Sequence, residues 1–323
     1  MCPERRTVLK ASLAALTTPF FARTSLAADL TTLSMQASWV NDAEFAGYFV
    51  AMDNHLYEKQ GVVLHYKPGG PDVIPESTLL GGAADIALTT PDTTIKAIAK
   101  DGAPFRIIGA QFQKNPLGVV SLAKSNIRKP ADLVGKVLAV PPVNTLSVMA
   151  MFRMNRIDPK SVKIVPYQYD PTPLIKGNVD ATVDFTTDVP FTIEQAGLKA
   201  SSFLLYDYGF TIYNDTVVVT LNTLKKKRAA LIGWLRASRE GWVENLKDPS
   251  FYPPKFSTTW FKGTGRTTAN DVFTNTADKP LIESPKGIYA MTPEGVEMNI
   301  KALAAIGIKA KKEYFDTSLL AEL

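Results

Sequence analysis

Cysteine and histidine are almost absent from this 323-residue chain, which has one Cys and two His. The cysteine is Cys2, and no lipobox sequence accompanies it, so a lipid anchor, a disulfide and a cysteine-based metal site are not expected. Neither His55 nor His65 has a Ser, Cys or carboxylate at a spacing typical of a triad. The phosphate-binding glycine motifs of P-loop and dinucleotide-binding proteins are also missing. The usual signs of thiol, metal and nucleotide chemistry are therefore lacking.

The first 28 residues have the pattern of an export signal. A twin-arginine pattern at 4–10 (ERRTVLK) precedes an apolar run at 11–21, and small residues at 25–28 suit signal-peptidase cleavage. The apolar run is shorter than the roughly 20 residues of a permanent membrane helix. We predict a cleaved signal peptide over 1–28, by the Tat or the Sec route, and a periplasmic protein.

Removal of that segment changes the charge balance. The full chain has 36 Lys and Arg against 31 Asp and Glu. Residues 1–28 hold four basic residues and one acidic residue, which leaves 32 against 30, a net charge of +2. So small an excess gives no support for nucleic-acid binding. Cys2 is lost with the same segment.

The stretch from 39 to 72 predicts a loop, a helix, a strand and a second loop. Asn41 or Asp42 can cap the helix, and Gly61 ends it. Alternating apolar residues at 62–66 then predict a strand. Two loops at one sheet edge form the crevice in which open α/β sheets bind ligands.

This stretch, with Gly-Gly-Pro-Asp at 69–72 and Leu-Val-Gly-Lys-Val-Leu-Ala at 133–139, resembles the periplasmic substrate-binding proteins of ABC importers. Within them it is similar to the branch that binds the thiamine pyrimidine precursor, with sulfonate and riboflavin binders as relatives. The resemblance implies an α/β fold of the type II, two-lobe kind, with the ligand cleft between lobes joined by a two-segment hinge. It also implies lobe one at 29–117 and 218–323, lobe two at 118–217, and crossings near Leu117–Ser121 and Asp215–Val219.

A weak internal repeat supports two lobes. Residues 80–92 resemble residues 175–188, and each copy has a Gly, an Asp, a short buried strand and a Thr-Thr pair at the strand tip. Strands are also predicted at 105–110, 119–123, 137–140, 162–167 and 216–221, and helices at 91–100, 145–155, 224–246 and 292–306.

Side chains at predicted strand tips and turns are the candidates for ligand contact. Trp39 can stack on a ring, whereas Asp42 and Glu44 can either contact polar ligand groups or cap the helix. The candidate ligand-binding residues are Trp39, Asp42, Glu44, Thr89, Thr90, Gln113, Asn144, Thr186, Asp188, Tyr208 and Tyr213.

The segments predicted to face the cleft are acidic and aromatic, and Lys114 is their only basic residue. Rings stack on Trp or Tyr, and amino groups donate to carboxylates. This composition favours an aminopyrimidine such as the thiamine precursor, then riboflavin or another flat heterocycle, then a sulfonate or aromatic acid. The acidic residues are Asp42, Glu44, Asp72, Asp92, Asp170, Asp184, Asp188 and Asp207, and the aromatic ones are Trp39, Phe45, Phe112, Tyr167, Tyr169, Phe185, Tyr206 and Tyr208.

The related eukaryotic pyrimidine synthases use a lysine and a histidine where this chain has Thr89 and Thr93, and they carry a cysteine-rich motif that is missing here. We therefore expect a binding protein without a cofactor. An extracytoplasmic enzyme on the same scaffold and a sensory receptor domain are the alternatives.

The expected partners are a small-molecule ligand and an ABC permease with its ATPase. We expect a monomer with no nucleic-acid partner and no stable membrane insertion after signal cleavage.

The export signal can be tested by N-terminal sequencing of protein from the periplasmic fraction. We expect the mature chain to begin near Ala28 or Asp29, because the small residues before them suit the peptidase. Full-length protein confined to the cytosol would contradict this prediction.

Overall fold

The structure, a computed structural model, describes Met1 and residues 30–323. The predicted signal peptide lies outside the described residues apart from Met1. Two five-stranded mixed sheets with surrounding helices form two lobes, which confirms the predicted α/β two-lobe class. No helix in residues 30–323 is long and apolar enough to cross a membrane. The strands are β1 (Thr31–Gln36), β2 (Val62–Lys67), β3 (Ile86–Thr89), β4 (Phe105–Phe112), β5 (Leu117–Leu122), β6 (Val137–Val140), β7 (Lys163–Pro166), β8 (Ala181–Phe185), β9 (Ala200–Leu204) and β10 (Asn214–Thr220).

The two sheets have the same topology. The first has the strand order β2-β1-β3-β10-β4 and the second the order β7-β6-β8-β5-β9. In each sheet the first three strands of that order are parallel, and the fourth is antiparallel to both of its neighbours. The carboxyl ends of the parallel strands therefore form one edge of each sheet, where a ligand site is expected.

The internal repeat marks equivalent positions in the two sheets. Asp85 accepts a hydrogen bond from the backbone N–H of Ser34 at 3.0 Å, and Asp180 accepts one from the N–H of Val137 at 2.8 Å. Each aspartate thus ties the start of one parallel strand to its neighbour. The repeat has a structural cause, because a buried backbone donor needs a partner.

Helices cover both sheets. They are α1 (Ala46–Asp53), α2 (Leu56–Lys59), α3 (Pro75–Leu80), α4 (Pro91–Asp101), α5 (Thr145–Met154), α6 (Thr172–Ile175), α7 (Val189–Gln195), α8 (Leu221–Lys226), α9 (Arg228–Lys247), α10 (Pro253–Phe256), α11 (Thr268–Ile282) and α12 (Pro293–Ala305). The single helix predicted at 224–246 is wrong, because α8 and α9 are separated at Lys227. The backbone φ of Lys227 is −119°, outside the helical range, and its ammonium group binds Asp85 at 2.8 Å.

The chain passes between the sheets twice, and both crossings differ from the predicted ones. Leu117–Ser121 is paired within the second sheet and Asp215–Val219 within the first. A strand that is hydrogen-bonded over its whole length cannot be the connection, so the crossings precede β5 and β10. They lie between Phe112 and Leu117 and between Leu204 and Asn214. The limits of the lobes as rigid bodies stay a prediction.

Helices α1 and α9 pack closely against each other in the first lobe. A Cβ atom at Gly47 would lie 2.2 Å from Cδ2 of Trp242, and one at Gly241 would lie 2.2 Å from the carbonyl oxygen of Gly47. These glycines let the two helices approach closely enough to bury Trp242 completely. Because α1 directly follows the turn that carries Asp42 and Glu44, this contact also positions two candidate site residues.

Replacement of Gly47 by alanine should therefore destabilise the protein. The new methyl group would overlap the Trp242 ring, and overpacking of this kind costs about 1–3 kcal/mol. Chemical denaturation measures the change. Gly81→Ala is the control, since Gly81 has φ of −73° and its nearest contact would be at 3.3 Å. Equal stability of the two variants would contradict the packing described.

Candidate functional site

The two lobes meet at the carboxyl-terminal edges of their parallel strands. Trp39, which follows β1, and Tyr169, which follows β7, lie with ring centroids 5.0 Å apart and an interplanar angle of 60°. Phe191 of α7 and Phe273 of α11 make a second aromatic contact between the lobes, at 5.5 Å. We call the region between the lobes that these two contacts mark the interlobe cleft.

Six carboxyl groups converge on this cleft from separate parts of the chain. Asp42 and Glu44 lie in the turn between β1 and α1, Asp215 at the start of β10, and Asp188 after β8. Asp271 and Asp278 belong to α11. All except Asp188 are buried, with at most 6% of the residue surface exposed. We call these six residues the carboxyl cluster.

Arg266 is the basic side chain that pairs with the carboxyl cluster. Its Nη1 and Nη2 atoms bind both oxygens of Asp188 at 2.9 and 3.1 Å, and Nε binds Asp271 at 2.9 Å. Nη1 also lies 3.8 Å from Asp42. Burial alone would lower the pKa of Arg266, but the charges of Asp42 and Asp188 raise it overall. The positive charge of Arg266 is thus shared among three carboxylates.

The remaining members of the cluster have no cation among the ion pairs of residues 30–323. Glu44 and Asp215 are buried near each other, and the charge of Asp215 adds to burial in raising the pKa of Glu44. Asp215 accepts a hydrogen bond from the hydroxyl of Ser38 at 2.7 Å, and the amide of Gln111 donates to the carbonyl oxygen of Glu44 at 2.8 Å. Two neighbouring buried carboxyl groups repel each other when both are ionised, which favours a proton on one of them.

Burial raises the pKa of these carboxyl groups. It raises the pKa of Asp42 to about 7, although the charge of Arg266 opposes the change. It raises the pKa of Asp215 to about 6, against hydrogen bonds from Glu44 and Ser38. The pKa values of Glu44 and Asp278 are raised well above the ordinary range, first by burial and then by neighbouring carboxylates. Near neutral pH the cluster therefore contains carboxylic acids as well as carboxylates.

Oε1 of Gln111 is a buried polar atom without a hydrogen-bond partner within the described chain, and such an atom is costly. The hydroxyl of Thr187 lies beside Asp278 and that of Tyr167 beside Asp184, and hydrogen bonding from each hydroxyl opposes the rise in the pKa of its neighbour. No three Asp, Glu, His or Cys side chains of the described chain are arranged to hold a metal ion.

Four of the eleven predicted binding residues lie in this cleft, namely Trp39, Asp42, Glu44 and Asp188. The others have partners elsewhere. Thr89 bonds to Thr94 and Thr216, and Thr90 to Thr93. Gln113 donates to the carbonyl oxygens of Ala110 and Ala290, and Thr186 to that of Pro116. Asn144 ends a 3₁₀ turn after β6, Tyr208 donates to the carbonyl oxygen of Arg128, and buried Tyr213 packs on the first turn of α12 at Gly295.

The expectation that Lys114 is the only basic residue of the cleft is wrong. Lys114 pairs with Asp207 beside the hinge, whereas Arg266 comes from a segment without a recognisable pattern. Of the predicted cleft acids, Asp72, Asp170 and Asp207 are exposed to solvent, and Phe45 and Phe112 belong to the core of lobe one. Sequence reasoning also missed Asp271 and Asp278, and it placed Asp215 in the hinge.

A surface pocket of about 570 Å³ lies on the outer side of lobe one, between α9 and residues 283–288. Its lysines are already paired, Lys247 with Glu244 at 2.6 Å and Lys279 with Glu283 at 2.9 Å. It shares no residue with the carboxyl cluster. Arg239 also lines this pocket, where it has no carboxylate partner among the ion pairs of residues 30–323 and donates to the carbonyl oxygen of Ile288 at 3.1 Å.

Comparison with solved structures shows a periplasmic binding protein fold. The periplasmic aliphatic sulphonate binding protein SsuA of Escherichia coli superposes with a TM-score of 0.66 at 16% identity, covering 85% of this chain and 91% of that one. The desulfurization enzyme DSZB superposes with a TM-score of 0.60 at 11% identity, covering 90% and 98%. The fold is thus shared by a binding protein and an enzyme.

The chain belongs to the family described as NMT1/THI5 like, which matches residues 42–251. A protein of Haemophilus influenzae named for thiamine biosynthesis is 25% identical over 211 residues. That alignment covers 63% of this chain and 64% of the relative, which is less than two thirds of its length. The predicted family resemblance is confirmed.

The raised pKa values predict how stability depends on pH. The pKa of Asp42 is about 7 in the folded protein, against roughly 3.9 in an unfolded chain. Between these values only the folded state holds the proton, so its contribution is complete at low pH and is lost as the pH rises through 7. Lowering the pH from about 8 to about 5.5 should raise the free energy of unfolding of the ligand-free protein by about 1–2 kcal/mol.

Denaturant unfolding at both pH values measures this increment. Asp42→Asn keeps a capping side chain and should reduce the increment. Asp170→Asn should leave it unchanged, because Asp170 is exposed and its pKa is lowered by hydrogen bonds from Thr172. An increment of equal size in both variants would contradict the assignment.

Proposed function

We propose that the protein is an extracytoplasmic solute-binding protein that delivers a small amino-substituted heteroaromatic ligand to an ABC importer. The ligand that fits best is the pyrimidine precursor of thiamine. The single observation that carries this proposal is the carboxyl cluster, which lies in the interlobe cleft around Arg266. Family membership and the name of the Haemophilus relative support the same ligand class.

The chemistry of an aminopyrimidine matches the groups in the cleft. A carboxylic acid can donate its proton to a ring nitrogen and accept a hydrogen bond from the adjacent amino group. Glu44 can supply such an acid, because burial and the neighbouring Asp215 raise its pKa well above the ordinary range. Trp39 and Tyr169 supply aromatic faces against which a flat ring can pack. Polar and apolar parts of the ligand are thus both accommodated.

Anionic ligands fit less well. Arg266 already donates to Asp188 and Asp271, and Asp42 lies nearby, so most of its N–H groups are not available to a sulfonate. The remaining carboxyl groups would repel an anion. Riboflavin, a neutral flat heterocycle, is therefore the second candidate and a sulfonate or aromatic acid the third.

An enzyme on this scaffold is the alternative function, since DSZB has the same fold. The positions that hold the lysine and histidine of the pyrimidine synthases hold Thr89 and Thr93 here. The hydroxyl of Thr93 donates to Glu76 at 2.6 Å, and that of Thr89 is bonded to Thr94. Thr89 has no base among its partners, and although the carboxylate of Glu76 lies beside Thr93, neither the lysine nor the histidine of the synthases is present at these positions. Binding without chemical conversion is the function that these groups support.

Transport would follow from lobe closure. A ligand that contacts Trp39 in one lobe and Tyr169 in the other binds the closed form better and shifts the population towards it. The closed, monomeric protein would then dock on a membrane permease whose ATPase powers import. The periplasm is the compartment in which such a protein works, and SsuA of Escherichia coli is named as periplasmic.

Calorimetry with 4-amino-5-hydroxymethyl-2-methylpyrimidine, riboflavin and taurine tests the proposal. We expect the pyrimidine to bind most tightly, and Trp39→Ala to weaken it about tenfold or more through loss of ring contact. Phe251→Ala removes an exposed aromatic residue of lobe one and should have no effect. Mass spectrometry after long incubation should recover the pyrimidine unchanged. Tight taurine binding without a response to pyrimidine or flavin, or formation of a product, would contradict the proposal.

A further inference from the structure

We infer that Arg266 and Asp188 form a latch that holds the two lobes closed in the absence of ligand. The inference rests on the two-lobe fold and does not depend on which ligand the cleft accepts. Arg266 belongs to lobe one and Asp188 to lobe two, and the two residues are 78 positions apart in the chain. Their contact therefore exists only when the lobes are together.

The geometry of the pair is that of a strong interaction. Each guanidinium Nη atom donates to one carboxylate oxygen, Nη1 to Oδ2 at 2.9 Å and Nη2 to Oδ1 at 3.1 Å. Parallel charge-assisted bonds of this kind are stronger than single neutral ones, and they fix the relative orientation of the two groups. The side chains are 14% and 30% exposed, so solvent screens the pair less than a surface ion pair.

Lobe one holds the arginine ready for this contact. Nε binds Asp271, and Nη2 binds Asn270 and, at 2.9 Å, Thr274. All three partners lie in α11, the helix that follows the arginine directly. Gly263 and Gly265 have φ of +85° and +80°, which permits the sharp turn that brings Arg266 to the cleft. Closure thus requires little further ordering of the guanidinium, which favours the closed state.

The surroundings show why this arginine acts between the lobes. Without it, Asp188, Asp42 and Asp271 would face one another as the lobes approach, and their repulsion would oppose closure. Arg266 supplies the positive charge that a ligand would otherwise have to bring. It lies beyond residues 42–251, the part of the chain that matches the family model, whereas Asp188 lies within that part.

A distance measurement between spin labels tests the latch without any ligand. Cys2→Ser removes the only cysteine of the full-length chain, and Ile74→Cys and Val143→Cys place one label on each lobe at exposed positions. We expect the unliganded protein to show mainly the short interlobe distance. Asp188→Asn, which preserves shape but removes the charge, should lower the ratio of closed to open molecules about tenfold or more.

Asp207→Asn is the matched control, because it removes an exposed ion pair, with Lys114, that lies in the hinge rather than between the lobes. It should leave the distance distribution unchanged. Circular dichroism of each variant confirms that it is folded. A distribution in Asp188→Asn identical to that of the unsubstituted protein, or an unsubstituted protein that is already mainly open, would overturn the inference. Because no ligand is present, a failed search for the ligand cannot cause either result.

Discussion

Arg266 lies among three carboxylates, and much of the cleft depends on that arrangement. Two unit charges 4 Å apart interact by about 4 kcal/mol at an effective dielectric constant of about 20. One guanidinium can offset the repulsion within Asp42, Asp188 and Asp271, but not within all six members of the carboxyl cluster. The other three carboxyl groups are therefore either protonated or able to accept a hydrogen bond from a ligand; they belong to Glu44, Asp215 and Asp278. Closure, pH dependence and ligand chemistry all follow from this imbalance of charge.

Much of the fold was predictable because local patterns specify it. The strand at 137–140 was predicted with its observed bounds, and Gly61 ends the first helical unit with φ of +75°. The Gly-Asp-strand repeat identified two equivalent strands before their sheets were known. Helix α11 had no such pattern, since it contains Thr and Asn at many positions and Pro280 in its last turn. The points at which the chain crosses between the lobes depend on how far β5 and β10 pair with their neighbours. Those neighbours are distant in the sequence, so a local pattern does not predict the extent of pairing.

The site was predictable only where its residues follow a strand directly. Trp39, Asp42, Glu44 and Asp188 satisfy that condition, and all four lie in the cleft. Arg266, Asp271 and Asp278 come from a loop and a helix, and tertiary packing alone brings them to the strand ends. Ligand contact by the threonines at the tip of β3 stays a prediction. The hydroxyl of Thr89 bonds to other threonines of the same lobe. The position of a residue at a strand tip does not predict which partner its side chain will bond to.

A crystal structure of the protein with 4-amino-5-hydroxymethyl-2-methylpyrimidine would test the central claim most directly. The account predicts the ring beside Trp39 and Tyr169, with its amino group within hydrogen-bond distance of Glu44, Asp215 or Asp278. Arg266 would still bind carboxylates of the cluster. A pyrimidine bound outside the cleft, or an anion held directly by Arg266 in place of Asp188, would contradict the account.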